Sequence, residues 1–245
     1  MGKVVTINQK LEFPSDITET IVTRTKVKID GIEDVAETRF LTLDQNEGGY
    51  DKYKILFMKK CNIGGFLNGQ EFNSFLRKYE TYAYANSEAD YIFTVGNIKG
   101  CIPRAAFKRL KNTSEVKCSG VEIDLVEAIL LLLEANGNIT VNSGWFSNLG
   151  TNLRNAWLQG QNVNTNADWI RFKNTEGSEL KNIELKIEDD DFEKGYILLS
   201  LSSRGFLHTN NSISDIKFLQ ITEEIIGIIQ PAILLSYNDD GDDEY

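Results

Sequence analysis

The sequence is poor in the residues that build metal and redox sites. It holds one histidine, His208, in 245 residues, which excludes a metal site made of several imidazoles. Its three cysteines, Cys61, Cys101 and Cys118, are odd in number, widely spaced and form no C-x-x-C pair. Such a set matches neither a disulfide framework nor a zinc site. We therefore expect no structural metal and no disulfide.

Cofactor and nucleophile motifs are also missing. The chain contains no G-x-x-x-x-G-K-[ST] loop and no G-x-G-x-x-G segment that opens a helix after a strand. It contains no G-x-S-x-G elbow, and a catalytic triad would have to use its single histidine. The sequence thus predicts no cofactor and favours a protein that is not an enzyme.

Long apolar runs and prolines are scarce as well. The first ten residues lack the apolar core of a signal peptide, and the most apolar segment, about 16 residues, is too short to cross a bilayer. Three prolines argue against Pro-rich linkers. These absences predict a cytoplasmic protein with no membrane partner, located in the host cytoplasm and the virion if a phage encodes it.

The acidic residues are concentrated at the C-terminal end of the sequence. The chain carries a net charge of −10, and residues 239–245 hold five acids and no base. The remainder is therefore only mildly acidic, at about −5, which is not the charge pattern of a protein that grips duplex phosphates. Nucleic acid stays a possible partner that the composition does not favour.

Period-two alternation predicts strands in the first sixty residues, at 4–7, 21–29, 38–43 and 53–58. Gly48-Gly49 indicates a hairpin turn between the last two strands. An amphipathic helix is predicted at about residues 69–86, because Asn68 and Glu71 have cap spacing and apolar residues follow at i, i+3, i+4 and i+7.

The strongest helix signal lies in the middle of the chain, at about residues 119–136. Ser119 and Glu122 have the spacing of a capping box, and Asn136-Gly137 indicates the end. The segment between them is so apolar that we expect protein to cover almost every face. Patterning elsewhere predicts further helices at 104–110 and 223–229, and strands at 91–95, 169–173, 183–187, 196–201 and 216–221.

The expected fold class is α+β, a mostly antiparallel β-sheet with a buried central helix (about 119–136) and an amphipathic helix (about 69–86). We expect one compact domain over residues 1–237, with a possible subdivision near 118–140. An acidic, flexible C-terminal tail follows at residues 238–245, named the acidic tail below.

One set of residues is compatible with catalysis. Glu184 and Lys186 lie two apart on a predicted strand and so share a face, and Asp168 precedes them by sixteen residues. This set resembles the D…E-x-K arrangement of metal-dependent nucleases, in which the carboxylates hold Mg²⁺. The E-x-K pattern is common, however, and Glu179-Leu180-Lys181 repeats it five residues upstream.

The acidic tail is strongly charged and ends in an aromatic residue. It resembles the tails of bacterial and phage single-stranded-DNA-binding proteins, whose acids mimic nucleic acid and whose terminal aromatic docks into partner enzymes. The resemblance covers about eight residues and implies these partner-binding residues: Asp239, Asp240, Asp242, Asp243, Glu244 and Tyr245. The aromatics Tyr91, Phe93, Trp169 and Phe172 on predicted strands could stack bases in such a protein, or could equally be core residues, as aromatics on strands more often are.

The sequence favours a non-catalytic interaction or assembly protein that binds protein partners, chiefly copies of itself. Its lack of motifs and its strands with large polar connections suit a structural subunit, such as a phage virion or tail-assembly component. The first alternative is a single-stranded-nucleic-acid-binding protein with a partner-docking tail. The second is a Mg-dependent nuclease that uses Asp168, Glu184 and Lys186.

Overall fold

The computed structural model describes residues 2–14, 17–97, 101–135 and 137–235. Within those ranges the chain forms two compact units: unit 1 contains residues 2–7 and 120–235, and unit 2 contains residues 8–119. Strands β1 (Lys3–Glu12) and β9 (Lys117–Ile123) contribute residues to both units. The expected single domain with a subdivision near 118–140 stays a prediction.

Unit 2 is an antiparallel sheet with one helix, α1 (Cys101–Thr113), packed on one face. A small hairpin lies between the fourth and seventh strands. The strands of this unit, besides its share of β1 and β9, are β2 (Ile21–Ile29), β3 (Ile32–Glu47), β4 (Tyr50–Cys61), β5 (Gly65–Leu67), β6 (Gln70–Phe72), β7 (Phe75–Ala85) and β8 (Tyr91–Gly96). Their order in the sheet is β8-β7-β4-β3-β2, and β5 pairs with β6.

The core of unit 2 lies between the sheet and α1. Phe40 of β3 stacks on Tyr53 of β4 with ring centroids 4.9 Å apart, and Phe107 of α1 packs against Phe40. The predicted hairpin turn between β3 and β4 is confirmed. Gly48 and Gly49 both have positive φ, 63° and 91°, a conformation that glycine adopts without strain.

Unit 1 is an antiparallel sheet with helices. Its elements, besides its share of β1 and β9, are α2 (Leu125–Ala135), β10 (Ile139–Ser147), β11 (Ala156–Gln159), α3 (Ala167–Lys173), β12 (Glu179–Glu188), β13 (Tyr196–Ser202), β14 (Phe206–Thr209), α4 (Asp215–Ile229) and β15 (Ile233–Leu235). The strand order is β11-β10-β12-β13-β14, β14 pairs with residues 3–6 of β1, and β15 pairs with β9. Helix α2 packs against β10, β12 and α4.

The predicted α+β fold class is confirmed. The described part of the chain is mostly antiparallel β-sheet, with 50% of the residues in strands and 22% in four α-helices. None of the described helices is long and apolar enough to cross a membrane.

The predicted amphipathic helix at 69–86 is wrong, because these residues form β6 and β7. Asn68 does not cap a helix; it has φ 51° in the turn between β5 and β6. All eleven residues of β7 pair with β4. The apolar spacing arose because both faces of β7 carry apolar side chains, so two period-two patterns together imitated a helical one.

The central helix exists but begins six residues later than predicted. Ser119 and Glu122 lie on β9, and the cap of α2 is Asp124, whose Oδ1 accepts hydrogen bonds from the backbone N–H groups of Val126 (2.9 Å) and Glu127 (3.1 Å). The helix is also less covered than expected, because Leu130 is 57% exposed. A capping-box pattern cannot distinguish Ser119 from a nearby aspartate that performs the same task.

Two predicted strands are helices. Residues 169–173 lie in α3, where Asn166 caps the helix by accepting a hydrogen bond from Asp168 N at 2.8 Å. Residues 216–221 belong to α4, which extends the predicted helix 223–229 toward the N-terminus as far as Asp215. Both segments are rich in β-branched or aromatic residues, and burial at helical spacing outweighs that local preference.

Candidate interaction faces

The outer face of the unit 2 sheet, on the side away from α1, is strongly basic. Residues on this face alternate with core residues along β2, β3, β4 and β7, as the strand registers show. Its charged members are eight bases and four acids: Arg24, Lys26, Lys28, Arg39, Lys52, Lys54, Lys60, Lys78, Glu33, Glu37, Glu47 and Glu80. This set, named the basic face below, has a net charge of +4 in a chain of −10.

Ion pairs neutralise part of the basic face. Glu37 accepts from Arg24 Nε at 3.0 Å through Oε1 and from Arg39 Nη2 at 2.7 Å through Oε2. Hydrogen bonds from Arg39 and then Arg24 hold the pKa of the Glu37 carboxyl below its usual value. Lys54 contacts Glu80 at 2.6 Å, and that hydrogen bond raises the pKa of Lys54.

The remaining lysines carry the free positive charge. Among the described residues, Lys26, Lys28, Lys60 and Lys78 have no carboxylate within salt-bridge distance. Three of the four side chains are exposed, and Lys60 is half-buried. A polyanion that binds here therefore needs to break few existing ion pairs.

The strand at the edge of the basic face is β2, the last strand in the unit 2 order. All nine of its residues pair with β3, so the backbone groups on its other side have no strand partner within the described sheet. Arg24, Lys26 and Lys28 alternate along it. An edge of this kind can accept an added strand, and basic side chains select an acidic one.

Unit 1 presents a different exposed feature. Trp145 of β10 and Trp157 of β11 occupy directly opposite positions on neighbouring strands. They are 49% and 65% exposed, whereas the third tryptophan, Trp169, is 3% exposed in the core. Large exposed aromatics in register are uncommon on a surface that has no ligand or partner.

Polar side chains of β12 continue this outer face of unit 1, named the tryptophan face below. Asn182 lies opposite Trp145, and Glu184 lies opposite Ser143. The Asn142 side-chain amide donates a hydrogen bond to Glu184 Oε1. Lys186 lies further along the same face, 3.5 Å from Glu188, so its charge is largely compensated.

The structure does not bring the three residues of the nuclease hypothesis together. Glu184 and Lys186 do share a face of β12, but Asp168 lies on α3. A Cβ at Gly144, which is paired with Ile183, would point into the Trp169 ring, so α3 covers the sheet face opposite to Glu184. Asp168 forms an ion pair with Arg171 at 3.0 Å. Among the described residues no group of three His, Cys, Asp or Glu side chains is placed to hold a metal ion.

The core alternative is correct for three of the four aromatic residues considered for base stacking. Phe93, Trp169 and Phe172 are at most 7% exposed, and Tyr91 is half-buried. The six proposed partner-binding residues of the acidic tail lie outside the described residues. Phe93 lies on β8, whereas Trp169 and Phe172 lie on helix α3 and face its buried side.

The basic face was not predicted from the sequence, because a sheet gathers its charges from several strands that are separate along the chain. The predicted strand 21–29 already places Arg24, Lys26 and Lys28 on one face at period two. The sequence matches no protein-family model, and no curated protein is significantly similar to it.

Proposed function

We propose that this chain is a non-catalytic interaction protein that assembles with copies of itself, through its basic face and the acidic tail of another copy. The observation that carries the proposal is the +4 charge of the basic face within a chain of −10. The tail residues that would bind are those implied by the sequence: Asp239, Asp240, Asp242, Asp243, Glu244 and Tyr245.

The length and the charge of the acidic tail both fit strand β2 of the basic face. An extended segment of eight residues spans about 26 Å, and the nine residues of β2 span about 30 Å. The tail can therefore lie along most of β2 as an added strand, with its carboxylates near Lys26 and Lys28. Lysines alternate along one face of β2, and acidic side chains of an added strand would alternate in the same way.

Assembly of this kind is heterologous, because the tail of one copy binds a different surface on the next. Heterologous contacts close into rings or extend into filaments. Both outcomes suit a structural subunit, and a role in a phage virion or tail stays a prediction, as does the cytoplasmic location.

The second candidate function is binding of single-stranded nucleic acid to the same face. Tyr82 of β7 favours it, because this half-buried residue lies opposite Lys54, and a base could replace the Lys52 ammonium that lies 5.0 Å from its ring centroid. In that case the acidic tail would compete with the nucleic acid for the basic face, as the tail resemblance implies.

The mass of the purified chain in solution tests the proposal. Light scattering coupled to size exclusion compares the full chain, a chain that ends at Tyr237, and the Lys26→Glu/Lys28→Glu variant, each at low and high salt. We expect an oligomer only for the full chain at low salt, since both changes remove an electrostatic contact that salt screens.

A matched control reverses two exposed lysines of unit 1, Lys173→Glu/Lys194→Glu, and should leave the oligomer intact. A monomer for the full chain under every condition would refute self-assembly. Tighter binding of a poly-dT oligonucleotide by the chain that ends at Tyr237 would then support the second candidate.

A further inference from the structure

We propose that the tryptophan face of unit 1 binds a neutral oligosaccharide. The inference concerns a different surface from the basic face and does not depend on self-assembly. Its starting point is the direct pairing of Trp145 and Trp157, whose rings are half and two-thirds exposed. The two exposed indoles provide an apolar platform, and the C–H faces of sugar rings pack against aromatic faces.

Hydrogen-bonding groups surround the platform. Asn182 of β12 lies opposite Trp145, and two residues further along β12 and β11 lie Glu184 and the exposed Gln159, both paired with Ser143 of β10, which is itself buried. Amides and a carboxylate match the hydroxyl groups of a sugar, because each hydroxyl both donates and accepts. The hydrogen bond from Asn142 holds the Glu184 carboxylate in place before a ligand arrives.

Charge selects a neutral ligand over a polyanion. On β12, Lys181 and Lys186 form ion pairs with Glu179 and Glu188, whereas Glu184 has no cation within salt-bridge distance among the described residues. A nucleic acid would meet a carboxylate where it needs a base. An apolar helix of a protein would bury the Glu184 charge without a cation, which is unfavourable.

The backbone under the platform is held rigidly. On the other side of β10, Gly144 leaves room for the indole of Trp169, and Phe146 meets that indole edge-to-face at 4.9 Å. The strand that carries Trp145 is thus packed by aromatic rings from behind. A preorganised platform loses less conformational entropy when a ligand binds.

Affinity electrophoresis of the full chain in gels that contain laminarin or glycol chitin, together with fluorescence titration with chitohexaose and cellohexaose, tests the proposal. We expect retardation by at least one glycan, with Trp145→Ala and Trp157→Ala each weakening binding at least about tenfold. Asn182→Ala should weaken it about two- to tenfold through one lost hydrogen bond. Phe66→Ala removes an aromatic that is 77% exposed in unit 2 and should change nothing.

A second measurement uses the unaltered chain, so its result does not depend on whether the variants fold. Iodide should quench the fluorescence of the two exposed tryptophans but not that of buried Trp169. A bound glycan should reduce this quenching. No retardation and no protection by any of the four glycans would overturn the proposal. Tryptophan-dependent binding of poly-dT instead of a glycan would overturn it in favour of a nucleic-acid surface.

Discussion

Glu37 and Arg39 of β3 form a charge-assisted pair on the basic face, with 2.7 Å between Oε2 and Nη2. The other oxygen of the same carboxylate accepts from Arg24 of β2. One acid therefore restrains two of the eight bases on this surface. Glu37 therefore lowers the affinity of the basic face for an acidic partner.

Glu37→Gln should strengthen binding of an acidic peptide. The substitution removes one negative charge and frees both arginines, so a synthetic peptide of residues 238–245 should bind the chain that ends at Tyr237 about two- to fivefold more tightly. Fluorescence anisotropy of the labelled peptide measures this. Glu193→Gln makes the same charge change at an exposed position of unit 1 and should have no effect. Equal affinities of the two variants for the peptide would show that Glu37 does not weaken the binding of an acidic partner.

Gly144→Ala should destabilise the chain. A Cβ at this position would overlap Cζ3 and Cη2 of the Trp169 indole, which is packed in the core and cannot rotate away freely. We expect the free energy of unfolding to fall by about 1–3 kcal/mol, as overpacked cores show. Urea denaturation measures it, and Gly160→Ala, where a Cβ meets nothing within 4 Å, serves as the control. Equal stability of the two variants would mean that Trp169 does not pack against β10.

Cys118 should make stability depend on alkaline pH. Burial raises the pKa of its thiol from 9.0 to about 12, so the folded chain keeps the proton that the unfolded chain releases above about pH 9. Stability is therefore lost as the pH rises from about 9 toward 12. Between about pH 9 and 11 the free energy of unfolding of the natural chain should fall more steeply than that of Cys118→Ala. Parallel curves would show that Cys118 is not buried.

The sequence predicted strands best where one face is polar and the other apolar. Residues 21–29 were predicted as a strand with the bounds that β2 has, because their alternation is regular. The prediction failed for 69–86, where β7 carries aromatics such as Tyr79 and Tyr82 on both faces. It failed again at Trp169, where a capped helix buries residues that individually favour strands.

Neither interaction face could be predicted from local pattern alone. The basic face combines charges from four strands, and Lys26 and Lys78 are far apart in the chain although they lie on one surface. The tryptophan face depends on the register between β10 and β11, which pairs Trp145 with Trp157 across a twelve-residue separation. Strand register is a property of tertiary structure, so the sequence signalled the individual residues but not their juxtaposition.

The most direct test of self-assembly is a charge-swap experiment read by light scattering. One variant carries Lys26→Glu/Lys28→Glu on the basic face, and the other carries lysine in place of Asp239, Asp240, Asp242 and Asp243 in the acidic tail. Each variant alone should be a monomer, because its acidic tail and its basic face no longer carry opposite charges that attract each other. An equimolar mixture of the two variants should form a complex of higher mass that high salt dissociates. A mixture that stays monomeric, while the unaltered chain assembles, would contradict the pairing of the tail with the basic face.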